Sequence, residues 1–186
     1  MATPLRWTLA AAAVIGALAA AGCGSGSAPA PMQRPVLVDD QVYTTSTMPA
    51  NESDFDAPPA KVWAALHRAY PAVGIEITVD DPTGHRVGNT NFWKSGYLNG
   101  QPIAHFADCG FNMQGPRANN TRVYFSVLTT LTTLTARDAG HTRLATSVHP
   151  VSLDVAGGAT DRLACGSTGA LEQLLYAAVR RELGGS

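Results

Sequence analysis

The sequence predicts an α+β domain: a mostly antiparallel sheet of four to six strands, with an early helix and a long C-terminal helix packed on one face. Three observations predict it. Leu171, Leu174, Leu175, Ala178 and Val179 recur at the i, i+3, i+4, i+7, i+8 spacing of an amphipathic helix. Val62, Leu66, Ala69 and Val73 repeat that helical period much earlier in the chain. Between these two segments the apolar residues alternate instead, as in Ile75, Ile77 and Val79 or Val123, Phe125 and Val127. A run of strands flanked by helices buries both apolar surfaces when the helices cover one sheet face.

The chain has 186 residues with a formal charge of −1, enough for a leader and one domain. Thirteen basic side chains stand against fourteen acidic ones, and none form a basic block, so a nucleic-acid partner has no electrostatic support. Residues 1–22 read as a signal peptide. Arg6 supplies the positive start, and the uncharged Ala-rich run from Trp7 to Ala21 is shorter than the ~20 residues a membrane-spanning helix needs. The run ends Ala20-Ala21-Gly22-Cys23, which resembles the lipobox of bacterial lipoproteins, although that pattern prefers Leu where Ala20 stands. The resemblance implies that Cys23 is diacylated and becomes the mature N-terminus. Residues 23–35, rich in Gly, Ser, Ala and Pro, then read as a flexible lipidated tether, and residues 36–186 as a single α+β domain. Gly24 follows the cysteine where an Asp resembles an inner-membrane retention signal. The expected location is therefore the outer membrane, facing the periplasm, if the organism is Gram-negative.

The three cysteines form an odd set, which an exported protein must account for. Acylation of Cys23 leaves Cys109 and Cys165 to pair in an oxidising compartment. The alternative, a nucleophilic Cys109 near His105 and Asp108, rests only on sequence neighbours, which rarely form a catalytic constellation.

Along the domain, residues 36–47 read as one strand or an extended arm, and residues 51–56 as a polar loop. Asp56-Ala57-Pro58-Pro59 begins the first helix, with Asp56 as a candidate cap, and Pro71 and Gly74 end it. Trp63 and Tyr70 widen its apolar face, Trp63 more as core than as a ligand-stacking residue. A half-buried strand through Ile75 and Val79 turns at Asp81-Pro82-Thr83-Gly84 into a second strand over residues 86–93, in which Gly88 suggests a bulge. Residues 94–120 are the least regular part, with a short strand expected near residues 103–107 and Tyr97, Phe106 and Phe111 between glycines and prolines. Binding, if any, is expected there. Residues 121–135 form the clearest strand, and residues 141–151 return with Leu144 and Val148 inward. Ser167 or Thr168 caps the last helix, Glu172 complements its positive end, and Arg180 and Arg181 its negative end on a polar face.

No motif identifies an enzyme, a metal site or a cofactor site. Ser167 lacks the spacing of a nucleophile elbow. The five histidines show no metal spacing, and His141 and His149 stand ~27 Å apart on a straight strand. Asp39-Asp40 and Asp80-Asp81 read as solvated loops.

Two family resemblances bear on the fold. Residues 61–66 after Pro58-Pro59, then Gly74-Ile75 and a turn ending at Gly84, resemble the helix-grip module of the outer-membrane β-barrel assembly accessory lipoproteins. The run Ala57-Pro58-Pro59-Ala60-Lys61-Val62-Trp63 is also similar to the first helix of the polyketide-cyclase and lipid-transfer helix-grip superfamily. Both imply a helix-grip-like sheet and carry over no functional residues. The expected function is a membrane-anchored envelope lipoprotein with a non-enzymatic binding or structural role, held by its lipid and meeting another envelope protein. The rival is a carrier of a small apolar ligand in a helix-grip cavity. A weaker third is a hydrolase whose site assembles only in space. An enclosed apolar cavity under the last helix favours the carrier, and a filled core with an exposed apolar patch favours a partner.

Overall fold

The structure, a computed structural model, describes residues 32–38, 41–47, 51–133, 139–153 and 162–184, with side chains from residue 51 onward except 124 and 126–133. Cys23, the leader, Asp39-Asp40 and most of the tether lie outside the described residues. Strands β1 (Met32–Val38) and β2 (Gln41–Thr47) pair antiparallel, so the segment expected as one strand or arm is two strands.

Residues 51–56, expected as a loop, are mostly strand β3 (Asn51–Phe55). Its polar composition hid it. Backbone pairing to the first half of a longer strand holds it, and only Phe55 is fully buried. Helix α1 (Pro59–Ala72) follows. Its cap position is Pro58, with no side-chain cap, so Asp56 does not cap and instead lies 3.5 Å from His141. Pro71 sits inside the last turn and does not end the helix. There the chain turns through Gly74, whose φ of +81° suits a residue without Cβ.

The strand expected through Ile75 is shorter. Only β4 (Val79–Asp81) pairs, with β5 (Arg86–Lys94), although the Thr78 N–H still donates to the Gly88 carbonyl at 2.9 Å. Ile75 is buried at the exit of α1 without a ladder partner. The turn forms where expected, with the Gly84 N–H on Asp81 Oδ1 at 2.8 Å and Arg86 Nη2 on Asp81 Oδ2 at 2.9 Å. The β5 irregularity falls at Thr90-Asn91, opposite the step from Phe125 to Val127, and not at Gly88. Asn89 fixes it by accepting the Asn91 N–H at 2.9 Å and donating to the Glu76 carbonyl at 2.9 Å.

The irregular middle segment holds β6 (Tyr97–Leu98), β7 (Gln101–Pro102), a single 3-10 turn over Ile103–His105, β8 (Ala107–Asp108), β9 (Phe111–Asn112), β10 (Gly115–Pro116) and the short helix α2 (Arg117–Asn120). The strand expected at 103–107 is thus mostly the 3-10 turn. Two long strands come next, β11 (Arg122–Thr133) and β12 (Thr142–Leu153), followed by β13 (Arg162–Ala164), β14 (Gly166–Ser167) and helix α3 (Ala170–Gly184).

Six strands form the main sheet in the order β13-β12-β11-β5-β4, with β3 also on β12, and every pairing in it is antiparallel. One edge of β12 carries two short strands in tandem: β3 along Thr142 to Thr146 and β13 along Val151 to Leu153. Burial along β12 alternates, with Thr142, Leu144, Thr146, Val148, Pro150 and Ser152 inward. Helices α1 and α3 pack on each other and on the sheet, α1 against β11 and α3 against β12 and β3. This is the α+β architecture expected from the sequence.

Between helices and sheet the described residues form one buried apolar cluster. Tyr70, Tyr176, Phe125, Leu66, Leu144 and Leu171 are fully buried in one cluster. Tyr70 donates to the Val87 carbonyl at 3.1 Å and so ties α1 to β5. The stripe on α3 holds for Leu171, Leu175, Ala178 and Val179, whereas Leu174 is only half-buried. Trp63 likewise lies at the margin of the core. Arg180, expected on a purely polar face, donates to Ser53 Oγ at 2.6 Å and lies 5.2 Å over the Phe55 ring, which joins α3 to β3.

Candidate interaction surface

The middle segment is fastened before it exposes anything. Cys109 and Cys165 are joined by a disulfide with Cα atoms 4.5 Å apart. Next to it β14 pairs with β8, Gly166 opposite Asp108 and Ser167 opposite Ala107. The Thr168 N–H donates to the Phe106 carbonyl at 3.2 Å, and its hydroxyl to the His105 carbonyl at 2.7 Å. The segment therefore folds back onto the start of α3, as the expected bridge required. Leu98, Ile103, Phe106, Ala107 and Ala118 are buried as its own anchors. A run of such irregular composition is held in place by these apolar plugs and by cross-links, not by a long ladder.

Of the two expected caps, Thr168 bonds the first N–H of α3, and Ser167 bonds the residue before it. Ser167 Oγ accepts the Gly169 N–H at 3.1 Å, and Thr168 Oγ1 accepts the Ala170 N–H at 3.3 Å. Ser167 also donates to the Glu172 carboxylate at 2.8 Å. Glu172 is 2% exposed, and burial raises its pKa above the ordinary carboxylate value of 4.5, against the opposing pull of its own N–H and Ser167. The sequence signalled a dipole-complementing acid there, but not a buried one. Tyr176 was not signalled either. Its hydroxyl donates to the Asn51 carbonyl and accepts the Thr146 N–H at 3.0 Å, and burial pushes its pKa up to about 12.

Against these anchors four large apolar side chains stand in solvent: Trp93 (44% exposed), Tyr97 (67%), Phe111 (77%) and Met113, which is fully exposed. Trp93 is the penultimate residue of β5 and is held by its ring N–H on Asn91 Oδ1 at 2.8 Å. Tyr97 belongs to the β6–β7 hairpin, whose loop residues Asn99 and Gly100 both have positive φ, as a two-residue primed turn requires. Phe111 opposes Pro116 in the β9–β10 hairpin, and Met113 and Gln114 form its tip, with the Gln114 N–H on Asn112 Oδ1 at 2.9 Å. Only Tyr97 and Phe111 belong to the aromatic set that the sequence placed in this segment. Nothing in the spacing separated exposed Phe111 from buried Phe106, because two-residue strands are too short to carry a period.

Along the sequence, the charges of this stretch are one-sided. From Thr90 to Val123 the chain carries three bases, Lys94, Arg117 and Arg122, and one acid, Asp108. Asp108 Oδ1 is engaged by the Gly110 N–H at 3.0 Å. Trp93, Lys94, Ser95 and Arg122 line an open recess of about 310 Å³ where β5 ends and β11 begins.

A larger open groove of about 680 Å³ lies where β3, the start of α1 and the end of α3 meet. Its walls are mixed, with Lys61 and Asp56 among apolar Phe55, Ala64 and Leu183, and an Arg68–Glu182 ion pair at 2.7 Å. Among the described residues no three His, Cys, Asp or Glu side chains converge on a metal-sized site, and no helix is long and apolar enough to cross a membrane. His67 lies between the Trp63 carbonyl (2.9 Å) and Asp80 (3.1 Å), which tethers α1 to β4. Comparison with known proteins returns no match from family models, curated proteins or solved structures.

Proposed function

We propose that this chain is a lipoprotein tethered through Cys23 whose domain has a non-enzymatic role, meeting its envelope partner with the exposed edge formed by residues 93–116. One observation carries this reading: Tyr97, Phe111 and Met113 are held outward by a disulfide-braced segment whose Leu98, Ile103, Phe106, Ala107 and Ala118 are buried, and Trp93 is exposed just before it on β5. Large apolar side chains held in water are candidates for contact with another surface. The 680 Å³ groove gives the carrier reading little support, because it is open and partly charged where an apolar ligand needs an enclosed apolar wall. An oxidised Cys109 also gives no support to a thiol nucleophile.

Two measurements test the proposal. Mass spectrometry of the mature chain is expected to find an acylated N-terminal Cys23, and an unmodified terminus elsewhere overturns the tether. A photo-crosslinking residue at Phe111, compared in the native envelope with one at exposed Ala177 on α3, is expected to label an envelope component, lipid or protein, that the Ala177 position does not. Equal labelling from the two positions overturns the contact surface.

A further inference from the structure

The exposed edge differs in shape from a protein-docking surface. Stable protein interfaces bury about 800 Å² on each partner, usually across a packed central patch. Here the apolar groups project from strand ends and hairpin loops, and the most exposed of them, Met113, is at the tip of a two-residue loop. A projecting tip fits a soft, deformable apolar medium better than a rigid one. The residue types fit as well: Trp and Tyr favour the membrane–water boundary, where an amphipathic ring has both an apolar and a polar neighbour. Phe111 and Met113 are the groups able to pass below that level.

Charge selects the kind of surface. Lys94 and Arg122 line the recess beside Trp93, and the sole acid between Thr90 and Val123 is already engaged by the Gly110 N–H. This complements anionic headgroups. From these observations we infer that the edge docks on an anionic bilayer, with Phe111 and Met113 inserted and with Trp93, Tyr97, Lys94 and Arg122 at headgroup level. The inference rests on the contact-surface reading above and names its occupant. Tethering favours it further, because the nine steps from Cys23 to Met32 span at most about 32 Å, which keeps the bilayer within reach of the domain.

The test uses the full chain reconstituted into mixed phosphatidylcholine–phosphatidylglycerol vesicles, with an environment-sensitive nitrobenzoxadiazole probe on Gln114→Cys and, separately, on Ala177→Cys. Vesicle flotation reads attachment, and quenching by spin-labelled lipids reads insertion of the tip. The Gln114 probe is expected to brighten and be quenched, while the Ala177 probe stays in water. Phe111→Ser with Met113→Ser is expected to lower the docked-to-undocked ratio at least about a hundredfold, the scale of burying two large apolar side chains. Lys94→Gln with Arg122→Gln is expected to lower it about fivefold per charge, and phosphatidylcholine alone or high salt to act in the same direction. Circular dichroism keeps misfolded variants out of the comparison. If the chain floats and the Gln114 probe remains as exposed as the Ala177 probe, bilayer docking is overturned. The Phe111 crosslink then decides whether a protein covers the edge. If the chain does not float, tether and docking both fail.

Discussion

Replacing Tyr176 with Phe removes one oxygen atom from the place where α3, β3 and β12 meet. The hydroxyl accepts the Thr146 N–H at 3.0 Å and donates to the Asn51 carbonyl, and Asn51 opposes Thr146 in the β3–β12 register. The ring itself is fully buried and meets the Phe55 ring edge-on at 6.1 Å, so Phe keeps the apolar packing. What remains is a buried N–H without its acceptor, which costs about 1–3 kcal/mol, and a half-buried carbonyl that recovers water at a smaller cost of about 1 kcal/mol. The expected loss is therefore about 2–4 kcal/mol near neutral pH, read as a lower urea midpoint at an unchanged slope. The pH dependence supplies a second check. Burial raises the Tyr176 pKa from 10.0 to about 12, so the stability it contributes is fully present below pH 10 and is lost as pH rises through about 12. That change is worth roughly 3 kcal/mol. The gap between native protein and Tyr176→Phe should consequently narrow across that window. A loss under ~0.5 kcal/mol at neutral pH, or a gap that stays constant into strong alkali, would refute the view that this hydroxyl bonds β3 to the rest of the sheet.

Two further predictions concern the start of α3. Reduction of Cys109–Cys165, which closes a loop with a sequence separation of 56, is expected to cost up to about 4 kcal/mol and to lower the melting temperature, and free labelling of both thiols in oxidised native protein would count against the bridge. Glu172 has a raised pKa in the folded state, so its stability contribution is greatest below its unfolded value of 4.5 and is lost as pH rises through its folded value. Glu172→Gln, which still offers an acceptor to Ser167, should remove that decline and be no less stable at pH 7; an unchanged slope of stability against pH in the variant would show that another group is responsible.

Elements whose residues repeat were legible before any tertiary contact was known. The stripe on α3, the period through Val62, Leu66 and Ala69, and the alternation along β12 each follow from one apolar face meeting one core. The pairing of Cys109 with Cys165 followed from counting cysteines, and the structure places their Cα atoms within bonding reach. Local pattern fails where a residue's surroundings come from distant chain. Asn51–Phe55 reads as a loop because its side chains are polar, yet it is a strand because β12 offers free backbone groups along that edge. Glu172 and Arg180 read as surface charges on a helix. The fold buries the first beneath Ser167 and lays the second over Phe55. The candidate surface divides in the same way. That residues 94–120 form no long strand was legible from composition. Which aromatics anchor and which project was decided only when Leu98, Ile103 and Phe106 entered the core and left Tyr97, Phe111 and Met113 on the hairpins outside it. Periodicity records how a segment faces its own neighbours, while exposure depends on what the rest of the chain brings to cover it.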